Sequence, residues 1–324
     1  MKALTFTNFG GTDVLEYRDM PVPVLKTNEI LVATRAIGLN YADIMRRKGI
    51  YPLRDNAPHI NGYEGAGVVI NNNNIPDIKI GERVGFADVP FSNAELVAVP
   101  ASHAIPLPDD INFETAASVL LQGLSAHFLA TDCHQTKPGE TVVIHAAAGG
   151  VGQILIQICK TLGAKIIGLV SSENKKQLVQ SLGANEVFLY NENWKQEILS
   201  QHPSGVDAVF DSIGNTMEES LHITKVRGKV VFFGMAGGEF KLGNPLYIIG
   251  TSKTIVGGDL WDYLTSREER IKRANQLFNW IKEGDIKISA PTKFSLAEGK
   301  QAHDYMESRK STGKILMIPE VTAN

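Results

Sequence analysis

Cysteine is almost missing from this chain. There are two in 324 residues, Cys133 and Cys159, and their spacing matches neither a disulfide framework nor a paired zinc motif. A stapled secreted domain is thereby excluded, and a reducing compartment fits. Long hydrophobic runs are lacking too, since no segment approaches the roughly 20 apolar residues of a membrane-spanning helix. No charge sign dominates: 32 Lys and Arg stand against 35 Asp and Glu, for a net charge of -3 and a pI near 6.3. Such a balance leaves no electrostatic footprint for nucleic acid or anionic lipid, so the expected partner is a small molecule. The eight histidines are scattered, without the i, i+4 pair of a metal-binding helix. The opening MKALTFTNFGG has no apolar stretch behind its lysine, so no secretory signal is expected and the cytoplasm is the expected location.

What is present is an ordinary globular balance, 43% hydrophobic and 21% charged, at a length that implies about two domains. From Thr141 onward the chain alternates apolar runs with helix-like stretches. TVVIHA (141–146), KIIGLV (165–170), EVFLY (186–190), DAVFD (207–211), GKVVFFG (228–234) and KTIVGG (253–258) read as strands. Between the early ones, GQILIQICKTLGA places apolar residues at i, i+3 and i+4, as a helix lying on a sheet requires. Repetition of this unit predicts a parallel, doubly wound α/β sheet. The first 120 residues instead hold short strands (EILVATRAIGL, GAGVVI, ERVGFA, AELVAVP) between Gly, Pro and Asn turns, which predicts a β-rich domain. After residue 264 come a charged helix, REERIKRANQLFNWIKEG, a second helix around 297–308, and a last strand, KILMIP. The expected organisation is a β-rich domain made of 1–122 and 264–324, with 123–263 inserted as a dinucleotide-binding domain.

The turn HAAAGGVGQ (145–153) joins the first strand of the alternating region to its helix. Ala147, Gly149 and Gly152 occupy the glycine positions of the GxGxxG fingerprint, with alanine at the first. Gly149 lets the backbone approach a pyrophosphate, Gly152 lets the helix pack on the sheet, and the helix start supplies N–H donors. An NAD enzyme carries Asp or Glu about 20 residues further on, for the ribose 2'-hydroxyl. Here the second strand ends in Ser171 and Ser172, followed by Lys175 and Lys176. Hydroxyls and cations stand where a carboxylate would repel a 2'-phosphate, so NADPH is the expected cofactor.

The whole chain resembles the medium-chain dehydrogenase/reductase superfamily, in its zinc-free quinone oxidoreductase branch, the zeta-crystallin-like enzymes. AIGLNYADIMRRKGIYP (36–52), GYEGAGVV (62–69), GERV (81–84), HAAAGGVG (145–152), GLVSSENKK (168–176), DSIG (211–214) and ESRKSTGKILMIP (307–319) carry the likeness in the family's order. The resemblance implies a GroES-like catalytic domain built from both ends of the chain, a Rossmann domain between them, and a homodimer. It places Ser125, Gly149, Gly150, Val151, Gly152, Ser171, Lys175, Tyr190 and the turn Phe233, Gly234, Met235, Ala236 at the cofactor. Tyr190 would lie near the adenosine; a ring that merely closes the strand end is the alternative. Two departures from related bacterial reductases touch the cofactor site: Met45 stands where a tyrosine is common, and Gly257 near where an arginine is.

The zinc alcohol dehydrogenases of the superfamily place Cys where this chain has Asn40, and a His-Glu pair where it has Tyr63 and Glu64. A third ligand would fall near Leu121 and Gln122, and neither suits zinc. No metal is expected, and with it goes the usual means of lowering an alcohol's pKa. What remains is hydride transfer from NADPH to a quinone or an enone, whose developing charge spreads onto oxygen. Asn40 is expected to offer an amide donor to that oxygen, and Tyr41, Tyr51 or Tyr63 a hydroxyl. Tyr51 stands in GIYP, where related enoyl-thioester reductases carry the tyrosine that assists protonation; capping of the small β domain is its alternative role. Asp43 and Arg47 are read as organising their loop, Glu64 as structural and His145 as buried. An enoyl-thioester or alkenal reductase is the alternative function, and a non-catalytic NADPH-binding protein a third.

Overall fold

A computed structural model describes residues 1–51, 53, 56–240, 243–308 and 310–320. Pro52 and Arg309, which fall inside two of the quoted motifs, lie outside the described residues. The chain divides into two compact units, one of Met1–Leu121, Leu264–Asn279 and Ile288–Asn324, the other of Gln122–Tyr263 and Trp280–Lys287. Among the described residues no helix is long and apolar enough to cross a membrane.

The second unit carries six parallel strands in the order Glu186–Leu189, Lys165–Val170, Thr141–Ile144, Val206–Asp211, Thr224–Phe232, Thr254–Gly257. In sequence terms this is 3-2-1-4-5-6, the Rossmann order, with the reversal beside the first strand. KIIGLV is buried at every position after its lysine, as a strand covered on both faces must be. Val143, Ile167, Leu169, Val209 and Val230 form the centre of the core. The helix Gly150–Thr161 buries an unbroken run from Gly152 to Cys159.

The first unit holds a sheet in the order Thr292–Ser295, Ile315–Ile318, Glu29–Leu39, Glu64–Asn71, Arg83–Ala87, Ile105–Pro106, with Leu96–Pro100 also paired to Glu29–Leu39. A smaller sheet joins Leu15–Asp19, Lys2–Phe6 and His59–Ile60. Two registers in the larger sheet bring polar residues from distant parts of the chain to one place. Ile315 pairs with Leu39, so Lys314 stands opposite Asn40; Gly65 pairs with Ile37, so Glu64 stands opposite Gly38.

The expected assignment of all of 264–324 to the β-rich domain needs one correction, because residues 280–287 go with the Rossmann unit. Two contacts within that unit account for it. The Trp280 ring stacks on His127 at 5.8 Å, and the Gln157 side chain bonds both the N–H and the carbonyl of Lys287 at 2.7 and 3.1 Å. The helix Arg267–Glu283 shows one unbroken periodicity, so nothing local marks the point where its partners change.

Candidate active site

The glycine turn is built around Ala146. This residue has φ +46°, in the left-handed region that residues other than glycine seldom enter. Its carbonyl accepts the Gly149 N–H at 2.7 Å, and its own N–H is bound by the Tyr190 hydroxyl at 2.9 Å. Gly152 packs against the same carbonyl: a Cβ there would come within 2.5 Å of Ala146 O and 2.9 Å of Ala147 Cα. The helix Gly150–Thr161 starts at this point, and the N–H groups of its first turn have no acceptor within the helix. The Gln122 side chain lies against Gly150, and Ser125 follows one helical turn later on Phe113–Phe128. The turn thus has the cradle that a pyrophosphate needs.

At the end of the second parallel strand Ser171 is exposed, and Lys175 Nζ donates to its hydroxyl at 3.3 Å. The 233–236 segment is tied to the fourth strand: Phe233 N–H donates to Asp211 O, and Ala236 N–H to Ser212 O, both at 3.0 Å. Tyr190 does more than end its strand, because its hydroxyl bridges Ala146 and His145. The structure therefore joins Gly149–Gly152, Tyr190 and the 211–214 and 233–236 turns into one bonded assembly. Ser171 and Lys175 form a separate pair beside it.

In the β-rich unit Asn40 precedes the helix Tyr41–Arg47 and is 2% exposed. Its Nδ2 group donates to Gly38 O at 3.0 Å and to Glu64 Oε2 at 2.8 Å, while its Oδ1 accepts from Lys314 Nζ at 2.7 Å. Both amide hydrogens are thus committed, which corrects the expectation of an Asn40 donor aimed at a substrate oxygen. Lys314 Nζ also reaches Glu64 Oε2 at 2.6 Å, and Glu64 Oε1 accepts the Leu121 N–H at 2.7 Å. Asp43 Oδ2 accepts the Asn40 backbone N–H at 2.7 Å. Burial pushes the Asp43 carboxyl up to about 7, with the Asn40 N–H and Lys314 acting against it.

These donors do not fit a catalytic zinc ion. An amide and a phenol stand at two ligand positions, leucine and glutamine near the third, and the Glu64 carboxylate beside the phenol is spent on an ammonium, an amide and a backbone N–H. The interior has its own cation in Lys314, which is 4% exposed. Local sequence carries no signal for it, because Lys314 begins an apolar strand like any solvated flank.

The two tyrosines differ. Tyr63 is 7% exposed, with the Arg46 guanidinium 5.8 Å from its ring centre and hydrogen-bonded to it. Burial raises the Tyr63 phenol above its usual range, with Arg46 acting against the shift, so it stays protonated and a donor at neutral pH. Tyr51 is 43% exposed, on the turn that follows the helix Tyr41–Arg47, where its N–H meets Met45 O at 3.4 Å.

Comparison with known proteins matches two families, one in each part of the chain. Residues 26–109 match the family described as alcohol dehydrogenase GroES-like domain, and 150–279 the one described as zinc-binding dehydrogenase. A quinone oxidoreductase of Pseudomonas aeruginosa is 37% identical over 98% of this chain and 99% of its own. A 2-haloacrylate reductase of a Burkholderia species is 32% identical over 96% of this chain and 97% of its own. The crystal structure of Escherichia coli quinone oxidoreductase complexed with NADPH superimposes with a TM-score of 0.94 at 34% identity, covering 98% of this chain and 100% of that one.

Proposed function

This chain belongs to the quinone oxidoreductase family of the medium-chain dehydrogenase/reductase superfamily, and on that premise we propose that it is an NADPH-dependent, metal-free reductase of quinones or similar electron-poor conjugated acceptors. The observation that carries this reading is the pairing of Ser171 with Lys175 at the end of the second parallel strand, beside a glycine cradle. NADPH, when bound, supplies the hydride. Gly149, Gly152 and the first-turn N–H groups of Gly150–Thr161 would hold its pyrophosphate, and Ser171 and Lys175 its 2'-phosphate. Tyr190 and the Phe233–Ala236 turn would border the rest.

Without a Lewis acid, the acceptor must spread its own developing charge, as a quinone or enone does. The chain's contribution is hydrogen bonding. Tyr51, 43% exposed, would offer its hydroxyl to an acceptor oxygen, and the neutral Tyr63 phenol stands deeper, held by Arg46. The Lys314 ammonium adds a fixed positive charge behind Asn40.

Lys175→Glu is expected to weaken NADPH by about 10-fold or more, the worth of a charge-assisted hydrogen bond, and NADH by far less. Fluorescence titration with both cofactors measures this, and equal weakening of the two would remove the basis for the cofactor assignment.

A second reading, reduction of a carbon-carbon double bond next to a carbonyl, is favoured by the relative described as a 2-haloacrylate reductase and by the exposed Tyr51. Protein dialysed against a chelator, given NADPH and either an ortho-quinone or a trans-2-enoyl thioester, is expected to turn over the quinone, with Tyr51→Phe slowing it only modestly. Preference for the thioester, abolished by Tyr51→Phe, would establish the second reading. Tight NADPH binding with turnover of neither would leave the non-catalytic one.

A further inference from the structure

Behind the glycine turn runs a chain of buried polar groups that the proposed reaction does not use. Asp211 and Ser220 are fully buried, and His145 is 1% exposed. Asp211 Oδ1 accepts the Ile213 and Gly214 N–H groups at 2.8 and 3.1 Å, and Oδ2 accepts the Thr216 and Ser220 hydroxyls at 2.8 and 2.6 Å. Ser220 Oγ lies 3.0 Å from His145 Nε2, and His145 Nδ1 lies 3.1 Å from the Tyr190 hydroxyl that holds the Ala146 N–H.

The chemistry of donors and acceptors sets the direction of each link. A carboxylate only accepts, so the Ser220 proton points to Asp211 and the Ser220 oxygen is left to accept from His145. His145 Nε2 therefore carries the ring proton. Burial lowers the pKa of the imidazole, against the pull of Asp211, so the ring is neutral and Nδ1 is bare. Tyr190 must then donate to Nδ1, and its oxygen is left for the Ala146 N–H. Asp211 itself is ionised: burial works to raise its carboxyl, yet the hydrogen bonds from Ser220, Gly214 and Thr216 hold it below the usual range.

The two ends of this chain are the two turns of the candidate dinucleotide site. At one end is Ala146, in its left-handed conformation, whose carbonyl closes the glycine turn. At the other is Asp211, which shapes the 211–214 turn, and that turn in turn holds the 233–236 segment. We propose that Ser220 and His145 are positioning residues: through Tyr190 they lock Ala146 to Asp211, so that the glycine turn and the 211–214 turn are presented to the dinucleotide in a single geometry. Both residues are buried beneath the turns, Ser220 completely and His145 to within 1%. The inference rests on the dinucleotide reading of the glycine turn and adds to it a pair of residues outside the fingerprint.

The test is Ser220→Ala in the full chain, which cuts the middle of the relay without altering either turn. Its NADPH dissociation constant, from fluorescence titration, is expected to rise about 10-fold, as loss of a buried hydrogen-bond link predicts. In steady state the loss falls on KM for NADPH rather than on kcat. Combined with Tyr190→Phe, the loss is expected to be smaller than the product of the two single losses, because both cut one chain. In the unaltered protein, the ¹⁵N spectrum of His145, assigned with His145→Gln, is expected to show a protonated Nε2 and a bare Nδ1. That spectrum tests the proposal even if Ser220→Ala does not fold. An unchanged NADPH affinity in a folded Ser220→Ala protein, or a proton on Nδ1, would overturn the proposal while leaving the cofactor reading intact. Failure of the unaltered protein to bind NADPH would overturn both.

Discussion

Lys314→Met is expected to destabilise the protein by about 3–5 kcal/mol, because it strips the partner from a carboxylate that cannot reach water. Glu64 is fully buried and Lys314 is 4% exposed, so neither gains solvent when the pair is broken. Asn40 Oδ1 would lose its Lys314 donor as well. Equilibrium urea unfolding measures the change. Adding Glu64→Gln to Lys314→Met is expected to recover much of the loss, since the uncompensated charge is gone while the side chain still accepts the Leu121 N–H. A loss under about 1 kcal/mol for Lys314→Met, the size of a solvated surface pair, would mean that this ammonium is not sequestered.

Gly152→Ala is the second large effect. The added methyl meets Ala146 O at 2.5 Å and Ala147 Cα and O at 2.9 Å, all backbone atoms with no rotamer to yield. Alanine is otherwise favoured over glycine in a helix by about 1 kcal/mol, so helix propensity alone predicts stabilisation. Overpacking at a site that cannot relax costs about 1–3 kcal/mol and displaces the helix start, so a lower melting temperature and a loss of NADPH affinity are expected together. Gly149→Ala is the contrast. Its methyl meets Ala146 O at 3.0 Å, and Gly149 has φ -76°, which alanine adopts without strain. It is expected to keep its melting temperature and lose affinity, since that methyl intrudes where the pyrophosphate would approach. Melting and titration of the two variants separate these outcomes, and similar behaviour of both would sink the assignment of distinct roles.

Much of the fold was legible because its signals are local. The run Lys165–Val170 is a strand by sequence and by structure, as is Glu29–Leu39, since each shows its burial in consecutive side chains. Strand limits elsewhere moved by a few residues: TVVIHA pairs only as far as Ile144, because the turn around Ala146 begins earlier than its apolar character suggests. The glycine turn and the pairing of Ser171 with Lys175 were legible for the same reason, since each lies within a few residues of chain.

By itself, then, the sequence determined the succession of βα units, the position of the glycine turn and the missing carboxylate after the second strand, all of which depend on neighbours along the chain. Only the tertiary structure decided which polar groups are buried together. Lys314 meets Asn40 across 274 residues and Glu64 across 250, and Ser220 meets His145 across 75. The same lysine would be a solvated flank and the same asparagine a free donor if their strands paired one register away. Hydrophobic periodicity states which face of a strand turns inward. It does not state which charge waits there, because that is set by the register of a partner strand from the far end of the chain.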